Sequence, residues 1–562
     1  MNSNNKIPAL ITVILVCLWS SVSGGKIIYP WNATSAIVKA GESFSILFDA
    51  GSVERADSVV LRGPYNSVSI PAVTSETGSF KYDNLTGAAC NTRISVPVPA
   101  AAPEDLYDLI LYSSAGENVS LSAVKVVREY KTNYTIMHIS DPHISRHYKD
   151  GYAKELEWFT NLVDISNIIG PDLVIITGDC IHQSTKDGDF TVQEKWDNYY
   201  KGHGDLQGVF GFRAPSFSMP GNHDYFQTDD GVAQWNEYNG LRVYNFTYGE
   251  SRFMVLDNFQ GDDYNDQLSV HQAWLDEAGP GNFRALAQHA PRAIPTSFCD
   301  QNQVQLALVG HAHPNASQSG TGSVGSTPTV FSIPGSASNI TTATGLDNVG
   351  WFRVVKVNGQ EVDILPKLQY ADNVEAPPPD HNIMLRLEFS NPNDGSATTN
   401  SITVTNDYDV TFPGFARFVM AKGNYEIPNG GTIEQVIEND TATILDVRFE
   451  IGANTITEIE TKIGVNGVDT YVSKPGAVQF KQTGTHLQTE LNLTSSSKVS
   501  LNITGLDGAI IHEHPARQVH SGPHKLQWYT NNLPSSVYVV TLQIENENIS
   551  ESIVKTSRIF IP

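Results

Sequence analysis

The order of apolar and polar positions changes character twice along this chain of 562 residues. From about Lys26 to Val127, short alternating stretches such as Ser43–Phe48, Ser58–Leu61 and Asp108–Tyr112 are separated by Gly, Asn and Pro. A period of two puts one face of each strand in a core and the other in water. This segment therefore predicts an all-β, Ig-like sandwich. From Thr132 the pattern turns to strands alternating with helices. Tyr134–Ile139 is an apolar strand, and Tyr152–Ile169 reads as a helix because Trp158, Leu162, Ile165 and Ile169 recur at helical spacing. Gly170-Pro171 ends that helix, and Asp172–Thr177 follows as a strand apolar on both faces. Further strands are expected at Phe253–Leu256, Ala285–Gln288 and Val304–Val309.

The alternation argues for an α/β domain over 131–370. The consecutive prolines Pro377-Pro378-Pro379 suit a stiff linker over 371–380. Beyond them the chain is strand-rich again, in two segments, 381–473 and 474–562, that meet near Lys474. The whole reads as a multidomain α+β protein, with all-β Ig-like sandwiches before and after the central domain.

The first residues add a destination. Lys6, the apolar run Ile7–Trp19 and the small residues Ser21 to Gly25 have the form of a secretory signal peptide over 1–24. The run is short of the roughly 20 residues of a membrane span, and no later stretch approaches that length. A secreted product is expected, at the cell surface or in the periplasm if the host is bacterial. Eleven Asn-x-Ser/Thr sequons, among them Asn32, Asn118 and Asn439, are consistent with a glycoprotein. Cys90, Cys180 and Cys299 remain after the signal; either a Cys180–Cys299 bridge or free buried thiols fits an odd count. The formal charge of −24 argues against specific nucleic-acid binding or attraction to anionic membrane. It leaves phosphorylated substrates open, since bound cations reverse the local potential.

The chemistry is concentrated in one ordered series: Asp141-Pro142-His143, Gly178-Asp179, Gly221-Asn222-His223-Asp224, His289 and Gly310-His311-Ala312-His313. Most of these follow an apolar run directly. In open α/β sheets the site lies outside the carboxyl ends of the strands, so sequence-distant motifs there converge. Carboxylates, imidazoles and an amide carbonyl suit Zn, Mn or Fe and fit Ca poorly. Two such ions about 3.5–4 Å apart need a shared ligand, for which a carboxylate is suited. Gly178, Gly221 and Gly310 are expected to turn the backbone sharply beside the ligands.

The series resembles the calcineurin-like metallophosphoesterases, whose pattern is DxH, GD, GNH[DE], H and GHxH. The resemblance covers about Thr132–Leu368 and implies a β-sandwich with flanking helices for the central domain. It also implies two divalent or trivalent transition-metal ions. Asp141, His143 and His313 would hold the first, Asn222, His289 and His311 the second, and Asp179 would bridge them. His223 would stabilise the transition state or protonate the leaving oxygen, oriented by Asp224. Hydroxide activated at the dinuclear centre would attack a phosphomonoester or phosphodiester. Purple acid phosphatases carry a tyrosine three residues after the bridging aspartate and lack the first-motif histidine; here His182 and His143 stand there. That places the chain nearer the phosphodiesterase-like and general metallophosphatase branches.

His182 itself reads as a loop histidine, Arg292 as a phosphate contact or a surface ion pair, Tyr225, Phe226 and Trp235 as pocket lining or packing, and Asp257 as an outer-sphere group or a turn former. The tail from about Lys474 resembles the small C-terminal β-sandwiches of exported bacterial enzymes, including type A sorting domains. It suits spacing, or glycan and cell-surface contact. The rival reading is an exported adhesion protein whose phosphoesterase-like domain is structural or inactive.

Overall fold

The computed structural model describes residues 25–561 apart from 52–55, 72, 82–88, 115, 150, 184–189, 226–230, 260–263, 280, 292–293, 312–319, 325–326, 333–349, 367, 372–381, 464–480, 484–485, 494–496, 506–508, 521, 531–532, 535 and 547–551. The expected signal peptide, most of the Pro-rich linker and the boundary near Lys474 lie outside the described residues. The chain divides into two compact units, Met1–Gly423 with Ile427–Thr461, and Asn424–Glu426 with Lys462–Pro562.

The larger unit begins with two sheets. One orders Lys26–Tyr29, Ser43–Asp49, Ala89–Pro97 and Thr74–Lys81; the other Ala36–Lys39, Gly116–Val127, Asp105–Ser113, Ala56–Arg62 and Ser67–Ile70. Alternation does what the sequence predicts: Phe44, Ile46 and Phe48 point inward with Ile94 and Val96, against Val59, Leu61, Leu109, Leu111 and Val124. Each such side chain contributes about 1.5–3 kcal/mol on burial.

The central region is a second pair of sheets around one core. In the first, Leu173–Thr177 lies between Ser216–Met219 and Asn133–Ile139, parallel to both, with Trp351–Asn358 antiparallel beyond. In the second, Ser251–Val255, Phe283–Ala287, Leu306–Leu308 and Thr327–Ser332 run parallel in that order. Ile136, Ile175, Phe217 and Met219 from one sheet meet Phe246, Phe253, Ala285 and Leu308 from the other. Phe217, Phe246 and Phe253 stack at centroid distances of 3.7 and 4.6 Å. The N-terminal segment covers one edge: Ser218 donates its N–H to Ala33 O at 3.0 Å beside the Thr34–Phe217 bridge.

The helix expected over Tyr152–Ile169 spans Glu155–Ile169. Its start is later because Tyr148–Lys149 pairs antiparallel with Tyr152–Ala153, which holds those residues extended. Its end is as read: Gly170 is left-handed at φ 61° and donates its N–H to Ser166 O.

After the central region, Leu385–Phe389, Asn400–Asn406 and Thr455–Ile463 form one sheet and Phe412–Ala421, Ala442–Ile451 and Gly431–Glu438 another. This part is fastened to the rest of its unit by charge. Arg417 pairs with Asp446 at 2.7 Å and with Asp105 at 3.1 Å, and Arg448 donates to Gly170 O at 2.6 Å.

The smaller unit is all-β. Leu487, Val499, Leu501, Ile503, Trp528, Val540 and Leu542 form its core. No helix among the described residues is long and apolar enough to cross a membrane. Cys90, Cys180 and Cys299 are free and buried, so the possible Cys180–Cys299 bridge is not formed.

Candidate metal centre

The site is built where two parallel strands run out. Past Ile139 and Thr177 the two chains keep bonding: Asp141 N–H to Gly178 O at 3.1 Å, His143 N–H to Asp179 O at 2.8 Å and Ile144 N–H to Cys180 O at 3.1 Å. Asp141, His143 and Asp179 sit in left-handed backbone, at φ 53°, 47° and 51°. That conformation costs a non-glycine residue roughly 1 kcal/mol or more, offset here by the loop-to-loop hydrogen bonds.

The three motif glycines serve two purposes. Gly178 alone has the left-handed φ (80°) that a sharp turn needs. At Gly221 a Cβ would collide with the Asp179 carboxylate, and at Gly310 with Ser140 Oγ and Thr177 O. Those two positions stay small so that loops can approach, which corrects the expectation of sharp turns at all three.

Asp179 lies at the centre. Its Oδ1 accepts His223 N–H at 2.8 Å, and its Oδ2 is 3.4 Å from His143 Nε2 and 3.2 Å from His289 Nε2. Asp141 Oδ1 stands 3.8 and 3.9 Å from the same two nitrogens. Asp141 Oδ2 accepts from Ser140 Oγ at 2.5 Å and from His311 N–H at 3.0 Å. His289 Nδ1 donates to Thr177 O at 2.5 Å, which leaves the Nε2 lone pair facing Asp179. Phe259 lies against His289 and His311, with ring centroids 5.4 and 5.5 Å away.

Three sets of potential ligand atoms result among the described residues, each gathered within 4.8 Å: Asp141, His143 and Asp179; Asp179, His289 and His311; and His143, His182 and His223. Asp179 belongs to the first two, as a bridging ligand must. His289 Nε2 and Asn222 Oδ1 are buried with no hydrogen-bond partner. Buried polar atoms are seldom left so, and both are lone-pair donors to a cation. The residues present therefore fit transition-metal ions. His313 and Arg292 lie outside the described residues.

Electrostatics agree. Burial works to raise Asp179, but His289 and His143 outweigh it and hold the carboxyl well below its usual range. Burial likewise opposes a charge on His289, yet Asp179 and Asp141 raise it to about 9. The two carboxylates favour positive charge at this point.

Asp224 is bonded to backbone on both sides. Its carboxylate accepts backbone N–H groups, from Gly221 at 2.8 Å, Ile181 at 3.1 Å and Cys180 at 3.3 Å. It ties the third motif to the second, whereas His223 Nδ1 is held by the carbonyl of His182 at 2.7 Å. Burial and the nearby Asp179 raise Asp224 to about 8. Burial, His143 and His223 push His182 down to about 2.

Among the other candidates, Tyr225 donates to Asp257 Oδ2 at 2.8 Å, Arg242 pairs with the same oxygen at 2.9 Å, and Trp235 is fully buried. These are packing and scaffold. Phe226 lies outside the described residues. Sequence reasoning missed Ser140, Phe259 and the contacts of His182; only the placement of His182 three residues past Asp179 hinted at the last. A separate cavity of about 280 Å³, lined by Arg213, Arg417 and Arg448, lies away from this chemistry, and Arg417 and Arg448 are ion-paired there.

Compared with known proteins, residues 134–315 match the calcineurin-like phosphoesterase family. No curated protein matches the chain. Solved structures give low similarity. A Parabacteroides merdae β-glucuronidase is 9% identical, over 92% of this chain and 75% of that one, at a TM-score of 0.21. Bacteroides uniformis β-glucuronidase 3 is 10% identical, over 96% and 76%, at 0.24. Red sea bream transglutaminase is 9% identical, over 95% and 97%, at 0.15. Scores this low bear on neither fold nor function.

Proposed function

With a calcineurin-like phosphoesterase domain at its centre, we propose that this chain is a secreted, dinuclear metal-dependent phosphoesterase acting on phosphomonoesters or phosphodiesters. The observation that carries the reading is the pair of ligand sets sharing Asp179, beside two buried lone-pair donors without partners. Export rests on the N-terminal pattern of Lys6 and the apolar run that follows it.

In this reading Asp141, His143 and His313 hold one cation, Asn222, His289 and His311 the other, and Asp179 both. Two bound cations supply Lewis acidity for the phosphoryl oxygens and lower the pKa of a water. The protein's own part is placement. Thr177 O fixes which nitrogen of His289 faces inward, and Ser140 and His311 N–H fix the Asp141 carboxylate. His223 has Nδ1 held by a carbonyl, so only its imidazolium form, with a second proton on Nε2, would give a proton to the leaving oxygen, becoming the neutral Nδ1–H ring.

The test is removal and return. Protein stripped with chelator should hydrolyse neither generic monoesters nor diesters and should regain activity with Mn or Zn. Asn222→Ala and His289→Ala should each lose one equivalent of metal and more than about 100-fold in kcat/KM, beyond what losing an outer-shell partner costs. Unchanged turnover in either variant contradicts the ligand assignment.

A further inference from the structure

We infer that the His182 ring is a positioning group that sets the orientation and proton location of His143 while packing against His223, whose Nδ1 the His182 backbone carbonyl holds. The inference rests on the phosphoesterase reading for what those two do. It deepens that reading by giving an outer partner to a ligand and to the proton donor together.

The geometry starts in the loop after Leu173–Thr177, where His182 donates its N–H to Ile144 O at 3.0 Å. That bond holds the Asp179 loop against the loop carrying His143. The His182 carbonyl accepts from His223 Nδ1 at 2.7 Å. A carbonyl has no proton to give, so His223 carries its own on Nδ1. The His182 ring stacks on His223, with centroids 5.0 Å apart and planes 24° from parallel.

The third contact is ring to ring: His182 Nδ1 lies 3.4 Å from His143 Nδ1. Two imidazole nitrogens at that separation share a single proton as donor and acceptor. His143 turns Nε2 toward Asp179 and Asp141, as a ligand nitrogen would. Its proton therefore sits on Nδ1, and His182 Nδ1 is the acceptor. Ligand imidazoles usually give that second proton to a carboxylate or a backbone carbonyl, which makes them more basic. A neutral imidazole accepts less strongly, so His143 is held in register while remaining a weaker electron donor to its cation.

The experiment separates hydrogen bonding from bulk by pairing two variants. In His182→Asn the side-chain oxygen falls near the position of Nδ1 and can still accept; in His182→Leu the volume stays and the acceptor goes. Chelator-stripped proteins are titrated with Zn in competition with a chromophoric chelator, a readout that needs no substrate. His182→Leu should bind its weaker equivalent about 10–100-fold less tightly than wild type. His182→Asn should stay within about threefold of wild type. His182→Leu binding as tightly as wild type overturns the inference, as does His182→Asn losing as much as His182→Leu. Wild type that binds no Zn would overturn the phosphoesterase reading as well, so the two failures are distinguishable.

Discussion

Arg417 and Asp179 are both buried in the larger unit, at 6% and 1% exposure, and their charges are met in opposite ways. Arg417 is surrounded by its own counter-ions: Nε and Nη2 donate to the two oxygens of Asp446, and Nη1 reaches Asp105. Burial opposes the guanidinium charge, but Asp446 and Asp105 more than restore it, and Arg417 is raised above its ordinary value. Asp179 and Asp141 face the imidazoles of His143 and His289, and Asn222 Oδ1 is buried with no hydrogen-bond partner. The first cluster is complete as folded. In the proposed reading the second is completed by bound cations, and that difference would separate a structural network from a site.

The comparison can be broken first at Arg417. Arg417→Ala leaves Asp105 and Asp446 buried and unpaired, so unfolding in denaturant should show a loss of about 3–5 kcal/mol. Metal-restored kcat/KM of the protein that remains folded should stay within about twofold of wild type. A large fall in activity without loss of stability would mean the two clusters are coupled.

A smaller effect tests the metal side. Gly221→Ala forces a methyl against the Asp179 carboxylate and should cost about 1–3 kcal/mol in stability. It should also weaken Zn binding, measured by chelator competition; unchanged binding would show that Asp179 can move aside without consequence. The smallest effect comes from an exposed pair, Lys201 with Asp197 one helical turn away at 2.6 Å. Lys201→Ala should change stability by no more than about 0.5 kcal/mol, vanishing in high salt. A loss comparable to that at Arg417 would undo the distinction between buried and surface charge.

How much of this was legible follows from range. The strands around Tyr134–Ile139 and Leu173–Thr177 show as apolar runs, and the candidate ligands Asp141, His143 and Asp179 stand just after them, so the strands and the candidates could be read together. The helix start could not, because apolar spacing is blind to the short pairing of Tyr148–Lys149 with Tyr152–Ala153. The motif position of Asp224 suggested that it orients His223, and gave no sign that its carboxylate also accepts backbone N–H groups from a loop more than forty residues earlier. His182 looked ordinary for a related reason: its contacts with His143 and His223 exist only once two loops bond side by side. Arg417 and Asp105, 312 positions apart, carry no local pattern at all.

The central claim is that the cluster around Asp179 is an incomplete site for two cations that act on phosphate esters. The most direct measurement strips the full chain with chelator, counts the equivalents of Mn or Zn it takes up, and follows hydrolysis of a monoester and a diester during the titration. The account predicts two equivalents, with hydrolysis appearing as they bind. Hydrolysis undiminished in chelator, or uptake of fewer than two equivalents, would contradict it.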